Sequence, residues 1–165
     1  MLRYVFGASN DDERAVPRCM NSRFSIAVHI LTLLASMPDE RVTSELIAGS
    51  VGTNPVVIRR QLALLRKAKL VESKAARGGG WVLARKPESI KLSQVRDALG
   101  EEASFRMHRN DPSPNCVVGQ NVRQALDVVY QDAEKAVTRS LQTRTIQDLL
   151  LAVSRCSEKA APGRK

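Results

Sequence analysis

The sequence predicts a mostly helical chain carrying one small β-hairpin, on three observations. Apolar residues recur at three- and four-residue steps through most of its length. Only two short strand-like runs interrupt that pattern, residues 70–73 and 81–84, with Gly78-Gly79-Gly80 between them. Basic charge is concentrated in the same region. Residues 54–86 hold Arg59, Arg60, Arg66, Lys67, Lys69, Lys74, Arg77, Arg85 and Lys86 against the single acid Glu72. The whole 165-residue chain carries a net +9, so this fifth of it accounts for nearly all the excess. Such a segment inside a globular domain points to a polyanionic partner, nucleic acid or an anionic membrane surface, its plainer reading being a solvated helix face.

A composition of 43% hydrophobic and 26% charged residues fits a globular chain long enough for one domain with a core. No run of eighteen apolar residues is present, which excludes a transmembrane helix of the usual kind. Residues 1–19 lack periodicity and are expected to form a disordered arm, or to precede a working start at Met20. Asp11-Asp12-Glu13 and the missing apolar run argue against a secretory signal there. Cys19, Cys116 and Cys156 are too few and too dispersed for a disulfide framework or a zinc site, and they fit a reducing, cytoplasmic compartment.

From Phe24 the spacing of Ile26, Ile30, Leu33, Leu34 and Met37 predicts a first helix, which Pro38-Asp39 ends. His29 on this helix reads as a core or rim histidine rather than a ligand. Thr43 is the expected cap of a second, short helix, with Glu45 favoured in its first turn and Gly49 and Gly52 following. Asn54-Pro55 then predicts a third helix running to about Lys69, with Asn54 as N-cap and Pro55 at the first helical position. Its Ile58, Leu62 and Leu65 share one face, whereas Val56, Arg59, Arg60, Ala63 and Lys67 share another. A short helix, a tight turn and a basic amphipathic helix make a helix-turn-helix, with the third helix suited to a major groove.

The hairpin after it, with a basic glycine-rich tip over residues 74–80, has the shape of a wing. It is not a phosphate loop, because no Gly-Lys-Ser/Thr follows and no helix opens after Gly80. Pro87 closes the wing and a helix over 92–99 completes a winged helix-turn-helix domain spanning 20–100. Residues 101–116 read as a loop. Beyond it Val118, Val122, Leu126, Val129, Ala133, Ala136 and Ser140 mark the stripe of a long helix, rich in small residues that allow close helix pairing. A last helix carries Ile146, Leu149, Leu150 and Val153, with Thr145 and Asp148 as its capping pair. The long stripe lacks a local core, so residues 117–156 are expected to form dimerisation helices through Val122, Leu126, Val129, Ala133 and Ala136, with a disordered tail over 157–165. Folding back on its own domain is the other use for such a stripe.

Several fragments in this order resemble the Rrf-type (IscR/NsrR-like) bacterial regulators. They are Asn21-Ser22-Arg23-Phe24, residues 54–60 (NPVVIRR), residues 65–71 (LRKAKLV) and residues 78–83 (GGGWVL). The resemblance covers residues 20 to about 155 and implies a homodimeric winged-helix transcription factor, usually a repressor, that binds inverted repeats in double-stranded DNA. It places Asn54, Val56, Val57, Arg59 and Arg60 at or near the groove floor, and Lys74 and Arg77 on the wing against phosphate or the minor groove. It makes Ser22, Arg23, Thr43 and Ser44 candidate DNA-backbone contacts. Arg59 and Arg60 point about 100° apart on a helix, so one is expected to read bases and the other to clamp phosphate.

Residues 114–119 (PNCVVG) resemble the branch of that family without an iron–sulfur cluster. Cluster-bearing members have three cysteines before the long helix, whereas here only Cys116 stands there, with His108 upstream and Gly119 at the place of a histidine ligand. One cysteine cannot hold a cluster, so no cofactor and no metal are expected. Asn115 is the expected cap of the long helix, which puts Cys116 in the first turn, where a helix N-terminus favours thiolate. Cys116 is therefore a candidate redox thiol, its plainer reading being a half-buried structural cysteine; Cys19 and Cys156 are weaker candidates. The leading function is sequence-specific DNA binding by a dimeric transcriptional regulator. The alternative is a winged-helix module for protein contacts or DNA architecture. No paired acid–base constellation, nucleophile elbow or phosphate loop supports an enzyme.

Overall fold

The structure is a computed structural model and describes residues 22–74, 79–100, 104–105, 107–113 and 115–160. The expected arm over 1–19, the Arg77 expected on the wing, Cys19 and the end of the expected tail lie outside the described residues.

Helix α1 spans Ser22–Ser36 without an internal glycine or proline, and it is central to the fold. Its buried Ala27, Ile30, Leu31, Leu34 and Ala35 repeat at three- and four-residue steps. Helices α2 (Ser44–Val51) and α3 (Pro55–Lys67) pack on it and on each other. Both helix starts follow from local chemistry. The Thr43 hydroxyl accepts the Leu46 N–H at 3.2 Å, and Asn54 Oδ1 accepts the Val56 N–H at 2.8 Å with Pro55 next in line. Gly52, at φ +72°, ends α2 in the left-handed region that glycine tolerates. The turn between them is therefore three residues, Gly52 to Asn54.

Helix α3 ends at Lys67 rather than Lys69. Lys69 adopts φ +57°, its N–H reaches the Arg66 carbonyl at 2.9 Å and the Leu70 N–H reaches the Leu65 carbonyl at 3.0 Å. This paired closure of the last turn is usually built on glycine, and here it is built on lysine. Strands β1 (Val71–Lys74) and β2 (Gly80–Leu83) follow as an antiparallel pair with Ser73 opposite Trp81. Both runs are shifted by one residue from the expected 70–73 and 81–84. Val42 adds a single rung on the other edge of β2: its N–H and carbonyl pair with Trp81 at 3.3 and 2.9 Å, which anchors the hairpin to the segment before α2.

Pro87–Ser89 form a single 3-10 turn, and α4 spans Leu92–Ala98. Helix α5 (Val117–Gln142) has 26 residues and α6 spans Ile146–Ala160. Thr145 and Asp148 cap α6 reciprocally, the Asp148 carboxylate accepting the Thr145 N–H at 2.8 Å and the Thr145 hydroxyl accepting the Asp148 N–H at 3.2 Å. The start of α6 is joined to the winged domain through backbone. Ile146 donates to the Ile90 carbonyl at 3.0 Å and Leu92 donates to the Arg144 carbonyl at 2.9 Å. Ile146 is fully buried with Ile30, Ile58, Leu62 and Ile90, and Leu149 and Leu150 pack against the same core. The block 117–156, read from the sequence as dimerisation helices, is thus divided: the first turns of α6 complete the winged domain's core, while Val153 is 57% exposed.

Helix α5 buries none of its residues. One face holds its own chain. Arg96 of α4 pairs with Glu134 at 3.3 Å and donates to the Thr138 hydroxyl at 2.6 Å, the Ser104 N–H donates to Glu134, and Phe105 stacks on Tyr130 at 5.4 Å. Arg123 Nη2 donates to the Asn110 carbonyl at 2.8 Å and to the Asp111 carboxylate at 3.3 Å. At 100° per residue the apolar stripe from Val118 to Ala136 lies roughly 140° around the helix from that face, with Leu126 on the flank between them.

Candidate nucleic-acid interface

Burial of Ile58, Leu62 and Leu65 beneath α3 fixes which side of the helix faces outward. Val56, Arg59, Arg60, Ala63 and Lys67 are exposed together, while Val57 is half-buried at the helix start and Asn54 is exposed but engaged as the cap. Two of these residues differ in their surroundings. Arg59 Nη2 lies 2.5 Å from Glu45 Oε1, and Arg59 Nε donates to the Ser44 hydroxyl at 3.3 Å. Ser44 in turn donates to the same carboxylate, 3.2 Å from each oxygen. The Glu45 carboxyl is held below the usual carboxylate range, first by the backbone N–H at the start of α2 and then by Arg59.

The wing and α2 meet beside this group. Thr43, Ser44, Glu45, Ser73, Lys74, Gly80 and Trp81 line an open cleft of about 260 Å³, which brings the expected contacts Thr43, Ser44 and Lys74 to one place. Arg66 leans over the Trp81 ring, its guanidinium carbon 6.0 Å from the ring centre, joining the basic helix to the root of the wing. Gly80 makes the close seating possible, since a Cβ there would stand 2.8 Å from the Arg41 carbonyl carbon. Ser22 opens α1, and Arg23 donates from Nη2 to the Leu99 carbonyl at 3.4 Å, which ties α1 to the end of α4.

Sequence reasoning missed Glu45 and Trp81 as neighbours of the basic surface. Glu45 was read only as a first-turn acid, and Arg59 stands fourteen residues away across the turn. His29 falls on the rim, with Nε2 3.0 Å from the Ser50 hydroxyl.

The second candidate locus is the start of α5. The cap there is Cys116 itself and not Asn115: Cys116 has extended backbone and its Sγ accepts the Gly119 N–H at 3.4 Å. The thiol therefore stands just before the first turn, and it is exposed. Gly119 is closely approached by the preceding loop, and a Cβ there would lie 2.9 Å from the Ser113 carbonyl oxygen. Among the described residues, no helix is long and apolar enough to cross a membrane, and no group of three His, Cys, Asp or Glu is placed to hold a metal ion.

Residues 20–152 match the family described as Rrf2, iron-dependent transcriptional regulator. The chain is 39% identical over 132 residues to a Bacillus subtilis (strain 168) protein named HTH-type transcriptional regulator YwnA, covering 79% of this chain and 96% of that protein. Among solved structures it is similar to T. potens IscR, with a TM-score of 0.63 at 23% identity over 88% of this chain and 92% of that one. It is also similar to CymR, described as the global cysteine regulator of B. subtilis, with a TM-score of 0.61 at 21% identity over 81% and 96%. At those identities the two structures speak for the fold.

Proposed function

The chain belongs to the Rrf2 family of transcriptional regulators, and from that premise we propose that it is a homodimeric, sequence-specific repressor of transcription that binds an inverted repeat. One observation carries the DNA-reading part: α3 buries Ile58, Leu62 and Leu65 and presents Val56, Arg59, Arg60 and Lys67 beside a wing root that holds Lys74. An arginine so placed can grip guanine O6 and N7 with two parallel hydrogen bonds. Thr43, Ser44 and Lys74 around their cleft are suited to the DNA backbone, where contacts position without specifying. Asn54 and Val57 set and flank the start of the reading helix. Arg77, Ser22 and Arg23 complete the contacts that the family resemblance assigns.

Dimerisation is supported by the exposed stripe of α5. Val118, Val129 and Ala136 are exposed, Val129 at 60%, and Val122 and Ala133 are half-buried beside them, all on the side of α5 away from the Arg96–Glu134 pair and the Arg123 hydrogen bonds. A second copy presenting the same stripe would bury it and set two α3 helices about 34 Å apart, one helical turn of DNA.

The donors present around the start of α5 do not suit the iron dependence in the family's description. Cys116 Sγ already serves as a helix cap, and a side chain at position 119 would strike the Ser113 carbonyl. These residues do not fit an iron–sulfur cluster, and the proposed regulator works without one. Thiol responsiveness is part of the same reading: Cys116 is exposed, and modifying its sulfur removes the acceptor that closes the first turn of α5.

The test is selection from a random duplex pool with reduced protein. Enrichment of an inverted repeat with half-sites one turn apart is the expected result, with affinity falling at a log–log salt slope of roughly −7 to −9 for about 8–10 neutralised phosphates. Retention of DNA without enrichment would favour the architectural or protein-contact reading. Cys116→Ser should remove any difference between reduced and oxidised protein.

A further inference from the structure

We propose that Glu45 is a positioning residue for base reading: it holds the Arg59 guanidinium across the turn between α2 and α3 so that one edge of the fork faces the groove and selects guanine. The inference rests on the DNA-reading role proposed above and assigns the specificity to a pair rather than to a lone arginine.

The geometry supplies the first argument. A guanidinium carries five N–H donors in one plane, and they fall on distinct edges. The edge formed by Nε and Nη2 is taken by α2, with Ser44 Oγ at 3.3 Å and Glu45 Oε1 at 2.5 Å. That leaves the end of the fork, with one N–H from each terminal nitrogen, to meet the O6 and N7 pair of guanine. Ser44 also donates to both carboxylate oxygens, so three side chains on two helices brace one another.

Exposure supplies the second. The side chains of Arg59 and Glu45 are 56% and 60% exposed, so packing does not fix either of them. A long arginine that must be ordered on binding loses rotamer freedom at that moment, and one already braced loses less.

Charge supplies the third. Glu45 sits beside the surface offered to a polyanion, where its carboxylate repels phosphate on every sequence alike. A group that weakens all binding while ordering the reading arginine trades non-specific affinity for discrimination. Water excluded by the DNA strengthens the pair further.

The experiment runs wild type, Glu45→Gln, Glu45→Asp, Arg59→Ala and the Glu45→Gln/Arg59→Ala double variant through the same random-duplex selection at fixed salt. Affinity for random duplex is measured beside it. Glu45→Gln should bind random duplex more tightly, by about threefold from the lost negative charge. The same variant should lose about tenfold in preference for one guanine per half-site. Glu45→Asp should keep part of that preference, and in the Arg59→Ala background Glu45→Gln should change base preference no further. Opposite movement of affinity and discrimination is a signature that simple destabilisation of α2 does not produce. Wild-type preference at every position in Glu45→Gln, or uniform weakening on all sequences, overturns this proposal and leaves DNA reading intact. A wild-type protein that enriches no sequence overturns both.

Discussion

Arg66 and Trp81 make the only cation–aromatic contact found among the described residues, and they tie the basic helix to the wing across 6.0 Å. Trp81 is also the single tryptophan of the chain. Arg66→Leu keeps the apolar stem and removes the cation. It should cost about 0.5–1 kcal/mol, as expected for a contact at a half-exposed ring. Urea unfolding followed by Trp81 fluorescence checks this, and an unchanged midpoint would mean that the core packing of Trp81 holds the ring without the cation.

Two glycines should respond to alanine with opposite signs. At Gly80 a Cβ meets the Arg41 carbonyl carbon at 2.8 Å and the Val42 nitrogen at 3.1 Å, both of them backbone, so Gly80→Ala must push the wing off the Val42 rung. A loss of about 1–3 kcal/mol is expected, with weaker DNA binding. At Gly49, inside α2, nothing lies within 4 Å, and Gly49→Ala should stabilise by about 0.5–1 kcal/mol. Thermal melts of the two variants side by side give the comparison.

Glu134 links α4, α5 and the segment at Ser104. Burial alone would raise its carboxyl, but the Ser104 backbone N–H and hydroxyl and the Arg96 guanidinium outweigh that and hold it below its ordinary 4.5. A carboxyl lowered in the folded state adds stability that is present above the unfolded value and is lost as pH falls through the folded one. Glu134→Gln should therefore be less stable than wild type at pH 7, by about 1–2 kcal/mol, and the gap should close below pH 4.5. A gap independent of pH would show that the ionised form is not what matters.

Val129→Asp places a charge in the centre of the exposed α5 stripe without touching the winged core. Sedimentation or light scattering should find the variant monomeric where wild type is dimeric, with its melting temperature then dependent on concentration only in the wild type. Selection with the variant should return half-sites without fixed spacing.

What the sequence made legible was chemistry spelled out within a few residues. Thr43, Asn54-Pro55 and the Thr145–Asp148 pair each name a helix start because cap and partner lie two or three positions apart. The α5 stripe was legible because its period repeats over six turns. The start of α5 was misread by one residue, since asparagine is the commoner cap and nothing local says that a thiol will take the Gly119 N–H. Lys69 hid the end of α3 because glycine is the usual sign of a left-handed residue. The Glu45–Arg59 pair and the burial of Ile146 depend on how elements far apart in the chain come together, which periodicity does not encode. An apolar face on α6 announces that it will be covered, but not by what.

The rungs between Ile90 and Ile146 and between Leu92 and Arg144 join positions more than fifty residues apart. The ribosome must therefore finish the long excursion through α5 before the core beneath α3 can close, roughly 2–10 s after α4 is made at ordinary elongation rates. Until then Ile30, Ile58, Leu62 and Ile90 lack their last neighbour. A nascent chain stopped near residue 100 holds every residue of the reading surface and still has no finished floor under it. Completion of the surface around α3 thus waits until α5, the helix proposed for pairing, has already been made.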